Sequence, residues 1–115
     1  MMMNIKLTIF FALSITTTIS IAGTRTGFIE AIQTPDERPC YFFTLKNVSE
    51  ADPTIAKSPW FAIAKSHKGY KEVVSTIITA FALKKQVTVG TTGTGATSCD
   101  ELAEVSYVNV QDEPI

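Results

Sequence analysis

Residues 59–90, PWFAIAKSHKGYKEVVSTIITAFALKKQVTVG, hold two hydrophobic periods side by side. From Tyr70 to Lys84 the apolar side chains Tyr70, Val74, Ile77 and Phe81, joined by Val73 and Ile78, recur at three- and four-residue spacings. That spacing predicts an amphipathic helix. Ser66 or Gly69 is its candidate cap, Glu72 falls in its first turn, and Lys84 and Lys85 sit at the negative end of its dipole. Its β-branched residues lower the intrinsic propensity, so packing has to hold it. On either side the period becomes two. PWFAIA (59–64) predicts a strand with Phe61 and Ile63 on one face and Trp60 and Ala62 on the other. QVTVG (86–90) predicts another, with Val87 and Val89 together. A helix this short does little more than plug one end or face of a curled sheet.

Working outward, CYFFTL (40–45) is aromatic and β-branched, which suits a strand. GFIEAIQ (27–33) predicts the first strand, Phe28 and Ile32 on one face and Ile29 and Ala31 on the other. The turn-rich TPDERP (34–39) separates the two, and Lys46–Pro59, with Asn47, Ser49, Asp52, Pro53, Ser58 and Pro59, reads as a loop. Downstream, TTGTGATSC (91–99) reads as a polar loop, and EVSYVNV (104–110) as the last strand, alternating Val105, Tyr107 and Asn109 against Ser106, Val108 and Val110. Ser98 with Glu101 predicts a single capped helical turn between them, and QDEPI is expected to fray. The order is strand, strand, strand, helix, strand, strand. Five strands and one helix sharing one core predict a mainly β domain, and closing the sheet into a small barrel removes exposed edges.

The chain opens on three methionines, Lys6, and an uncharged apolar run from Leu7 to Ala22. This is the three-part pattern of a secretory signal peptide. Ser20 and Ala22 occupy the two positions a signal peptidase reads, so cleavage after Ala22 exposes Gly23. A transmembrane anchor is the competing reading, but a span takes about 20 predominantly apolar residues. This run is shorter and is diluted by Thr8, Ser14, Thr16, Thr17 and Thr18. The expectation is a signal peptide over 1–22, a single domain over 23–115, a secreted or periplasmic location, and no stable membrane anchor after cleavage. Setting Lys6 aside, 9 basic residues face 11 acidic ones, without a basic run. That balance excludes an electrostatic footprint for nucleic acid. An exported domain this small often relies on a covalent staple. Cys40 and Cys99 are the two cysteines, and pairing them requires Cα atoms about 4.4–6.8 Å apart. Two cysteines and the distant His67 fall short of a tetrahedral metal site, and no cofactor is implied.

A helix between the third and fourth of five strands resembles the OB-fold, a partly open Greek-key barrel. The export signal, the two cysteines and the segment Trp60–Cys99 (WFAIA, helix, KKQVTVG, loop, Cys99) resemble small secreted OB-fold proteins related to the B subunits of bacterial A-B toxins. The resemblance implies a ring-forming, often pentameric, glycan-binding subunit with its sugar site on the barrel surface. It carries no sugar-contacting residue onto a position of this chain. TPDERP and Lys46–Pro59 have no counterpart in it.

No catalytic constellation is apparent, and the expectation is a protein that is not an enzyme. His67 is the one histidine, beside Ser66 in a connection, and no GxSxG elbow is present. Glu30, Asp36 and Glu37 lie too close in sequence to flank a glycosidic cleft on their own, and read as solvated turn acids. GTTGTG (90–95) lacks the lysine of a phosphate-binding loop. The candidate ligand contacts are therefore the aromatic faces of Trp60 and Tyr70 and the hydroxyls of Thr91, Thr92 and Thr94. Asn47-Val48-Ser49 matches a glycosylation sequon. Two partner classes fit: a glycan, with a homo-oligomer, or an envelope protein bound through an exposed strand edge.

Overall fold

The computed structural model describes residues 23–34, 37–55 and 57–111. The expected signal peptide, Asp36 and the tail from Asp112 to Ile115 lie outside the described residues. The elements run β1 (Thr24–Gln33), β2 (Cys40–Leu45), β3 (Phe61–Ala64), α1 (Tyr70–Leu83), β4 (Gln86–Ala96) and β5 (Leu102–Val110). The strands close into a barrel in the order β1-β2-β3-β5-β4. β1 is shared, pairing antiparallel with β4 through Thr24–Phe28 and with β2 through Ile29–Gln33. β3 and β5 meet in parallel over only Phe61↔Ala103 and Ala62↔Glu104. This is the five-stranded OB-like barrel, with its helix between β3 and β4, that the element order predicts.

Alternation sorts the strands. Tyr41, Phe43 and Leu45, Phe61 and Ile63, Val87 and Val89, and Ala103 and Val105 face the interior, where Ile77 and Ala80 of α1 join them. The rings of Phe43 and Phe61 stack at 5.0 Å between centroids, a contact worth ~1 kcal/mol beyond its buried area. The other face is also covered. Cys40, Phe42, Ala62, Ala64, Ala96 and Cys99 form a second cluster outside the barrel, with Trp60 and Leu102 packed on it. Double burial accounts for CYFFTL, which shows no polar alternation.

Several expectations are corrected. A bulge between Ile29 and Ala31 resets the alternation of β1, so Ile32 packs toward the same core as Ile29 while Phe28 stays 44 % exposed. β4 does not stop at Gly90. It continues to Ala96 across two irregularities, so Thr91–Ala96 is bulged strand rather than loop. One of those irregularities pairs Gly90 with Tyr107 but Thr91 with Val105, turning Tyr107 outward and Val108 onto the core. The buried stripe of α1 runs through Ile77 and Ala80, leaving Ile78 and Phe81 about half exposed. No helical turn follows Ser98, because Asp100 and Glu101 hold left-handed φ angles of 62° and 57°. β3 begins one residue after Trp60, and Gln111 of the tail is held by its N–H to the Gln86 carbonyl at 2.8 Å.

Candidate functional site

The cysteines bring two connections together. Cys40 opens β2 directly after the β1–β2 connection, and Cys99 lies in the β4–β5 turn. Their disulfide, with Cα atoms 5.9 Å apart, ties one to the other. Both sulfurs are fully buried. Two residues before Cys40, Arg38 forms an ion pair with Asp100, which directly follows Cys99. The Arg38 guanidinium also lies 4.6 Å above the ring centroid of Phe42, a cation–π contact.

Between these connections opens a cleft of about 180 Å³ lined by Gln33, Arg38, Phe42, Trp60, Asp100 and Leu102. Its floor is apolar and half-buried where Trp60 and Leu102 pack on the disulfide cluster. Its rim carries a cation, a carboxylate and an amide. Two residues beyond Leu102 on the same strand face stands Glu104, paired opposite Ala62. The Glu104 carboxylate accepts from the hydroxyls of Thr92 at 3.2 Å and Thr94 at 3.3 Å, and those hydroxyls are 2.8 Å apart. Trp60, Thr92 and Thr94 therefore share the exterior face of the barrel.

Tyr70 and Thr91 lie elsewhere. Tyr70 packs against the interior cluster and borders a separate cleft with Lys65, His67, Lys68, Lys71 and Glu72 at the start of α1. Burial, and to a lesser degree Tyr41, raises its phenol above the ordinary tyrosine range. Thr91 is buried, and its hydroxyl donates to Asp52 Oδ2 at 3.0 Å. Burial alone would raise the Asp52 carboxyl. Hydrogen bonds from Thr54 and Thr91, with the charge of Arg25, outweigh that and hold it below the ordinary carboxylate range.

His67 is half-buried in the connection between β3 and α1. Its Nδ1 accepts the Gly69 N–H at 2.8 Å, which fixes the tautomer in which Nε2–H donates to the Ser106 carbonyl at 2.8 Å. Both ring nitrogens are thereby spent on joining the start of α1 to β5. A third and larger cleft, about 630 Å³, lies between β1 and the end of α1, lined by Phe28, Ile29, Glu30, Lys46, Ala80, Phe81, Ala82 and Lys84. It carries no stacking tryptophan and no covalent brace.

Comparison of the chain with family models, with curated proteins and with solved structures finds no match.

Sequence reading missed Arg38, Asp100, Leu102 and Glu104. A signal for two of them was present. Once Cys40 and Cys99 are paired, Arg38 and Asp100 flank the bridge with opposite charges, and their meeting follows. Phe42 alternates with Tyr41 and Phe43 and so leaves the interior face.

Proposed function

We propose that the domain is an exported, non-catalytic binding module that takes a glycan on the exterior face between the β1–β2 and β4–β5 connections. The observation that carries this reading is the cleft around Trp60. An aromatic floor suits the apolar face of a sugar ring, and Arg38, Asp100 and Gln33 suit its hydroxyl edge. In OB barrels the strand 2–3 face and these two connections are where oligosaccharides and oligonucleotides bind. The near-neutral charge of this chain favours the former. The disulfide and the Arg38–Asp100 pair brace both walls before any ligand arrives, which lowers the ordering cost of binding. Thr92, Thr94 and Glu104 extend the same face as a row of hydroxyl and carboxylate groups.

The reading extends to self-association into a ring, as in toxin B subunits. Its support is the set of large apolar side chains left about half exposed: Phe28, Ile78, Phe81, Leu83, Tyr107 and Val110. A second reading, a protein partner added by strand pairing, is favoured by one feature. Beyond Glu104, β5 has no strand paired to it on the β3 side among the described residues.

Trp60 is the one tryptophan, so its fluorescence reports the cleft directly. A glycan array on the purified mature protein, followed by Trp60 titration and light scattering, tests the proposal. A sugar that shifts Trp60 emission, and that binds ~10-fold more weakly to a folded Trp60→Ala variant, supports it. A strict monomer that binds no glycan removes it and leaves the strand-pairing partner, which a pull-down from the envelope of the native host identifies.

A further inference from the structure

Gly23, Thr91 and Asp52 make a built polar site that the proposed glycan cleft does not use. Asp52 and Thr91 are 3 % and 2 % exposed. Gly23 is held from both sides: its N–H donates to Thr91 Oγ1 at 3.1 Å, and its carbonyl accepts the Thr91 N–H at 3.0 Å. The Thr91 hydroxyl passes the contact on to Asp52 Oδ2 at 3.0 Å. A side-chain carbon placed on Gly23 would lie 3.9 Å from that same oxygen, so the glycine already stands against the carboxylate.

The carboxylate is only partly satisfied. Oδ1 accepts from both the Thr54 N–H at 3.1 Å and the Thr54 hydroxyl at 2.7 Å, whereas Oδ2 has the Thr91 hydroxyl. An ionised carboxyl oxygen has room for two donors. Arg25 acts on Asp52 by its charge, while its Nε and Nη1 donate to the carbonyls of Glu50 and Thr24. Among the described residues no cation touches Asp52 directly, so Oδ2 has room for a second donor that carries a positive charge.

We infer that this pocket is the receptor for the α-ammonium group of Gly23, created when the Ala22–Gly23 peptide bond is hydrolysed. One water is consumed: Ala22 leaves with a carboxylate, and the Gly23 nitrogen takes up protons to become an ammonium. A single amide N–H aimed at Thr91 thereby becomes three N–H donors and a positive charge beside Asp52. Processing adds a cationic partner to the already hydrogen-bonded Asp52 carboxylate, so the mature domain is held more firmly than its precursor. The inference rests on the export reading and is independent of the glycan.

The test uses the complete chain produced in an exporting host. Mass spectrometry of the released protein is expected to give Gly23–Ile115 less two protons for the disulfide. At neutral pH an amine-acylating reagent should then modify Gly23 ~10-fold more slowly than in Asp52→Asn, because a carboxylate in contact keeps the amine protonated. Should Asp52→Asn fail to fold, the wild-type Gly23 Cα resonance provides the same readout, moving with the acid titration of Asp52. A mass beginning at another residue overturns the processing step. The expected mass with an ordinary acylation rate, or with a Gly23 resonance indifferent to Asp52, overturns the docking while leaving export intact.

Discussion

A methyl group at Gly95 would lie 2.7 Å from the Glu101 carbonyl oxygen, in a turn where Asp100 and Glu101 already hold left-handed φ angles. The closest atoms belong to the Glu101 backbone carbonyl, which cannot swing aside as a side-chain tip can. Gly95→Ala is therefore expected to cost ~1–3 kcal/mol, read as a lower Tm, and to disturb Asp100 at the cleft. Gly90 makes the useful contrast. A methyl there meets the ring of Tyr107, which is 43 % exposed and free to swing outward, so Gly90→Ala should cost less. Equal losses at the two positions would show that the turn is not the rigid part. At Asp52 the sign follows from its lowered folded-state pKa. The hydrogen-bonded carboxylate contributes stability that is complete above the unfolded value, about 4, and is lost as pH falls through the folded one. Denaturant unfolding should find Asp52→Asn less stable than wild type at pH 7, with the gap closing as the medium is acidified. A gap independent of pH would assign the loss to packing instead.

Among the elements, α1 was readable because a 14-residue apolar stripe with a glycine before it has few alternative readings. The strands were readable in number and order but not in face. Period-two reasoning assumes an unbroken ladder, and the bulges at Ile29–Ala31 and Gly90–Thr91 each reverse it. That is why Phe28 and Tyr107, which read as ordinary strand positions, end up exposed. The Gly- and Thr-rich end of β4 read as loop for a related reason: Gly93, at a φ of 90°, and Gly95 bend the strand without ending it. The anchoring of α1 was not readable at all, since nothing local pairs His67 with Ser106, 39 residues away. His67→Ala deletes one acceptor and one donor and leaves the Gly69 N–H and the Ser106 carbonyl without their partner. A loss of ~1–3 kcal/mol is expected, with far-UV helical signal retained until the cooperative transition. A variant as stable as wild type would mean that water replaces the ring at no cost.

At the scale of the whole molecule, the barrel and the site depend on one covalent link. The expected export, the size and the cysteine count made the Cys40–Cys99 pairing readable, whereas the cleft was not, because its lining residues Gln33, Arg38, Phe42, Trp60, Asp100 and Leu102 meet only on closure. Trp60, Thr92 and Thr94 were chosen for chemistry and do share a face; Tyr70 and Thr91 have the same chemistry but are committed to the interior and to Asp52. The link closes a loop spanning 59 positions, and the chain-entropy account assigns such a loop about 4 kcal/mol. Both cysteines are wholly buried, so a thiol reductant should leave the native protein intact and act only once denaturant opens it. Replacing both with alanine removes the restraint on the unfolded chain and also frees the two connections that wall the cleft. The expected result is a domain destabilised by ~2–5 kcal/mol, whose Trp60 emission shifts to the red even under conditions where it remains folded. Circular dichroism and fluorescence on the same sample separate these effects. Unchanged emission in a folded double variant would mean that Arg38–Asp100 and the outer apolar cluster hold the walls by themselves, and the disulfide would then serve stability alone.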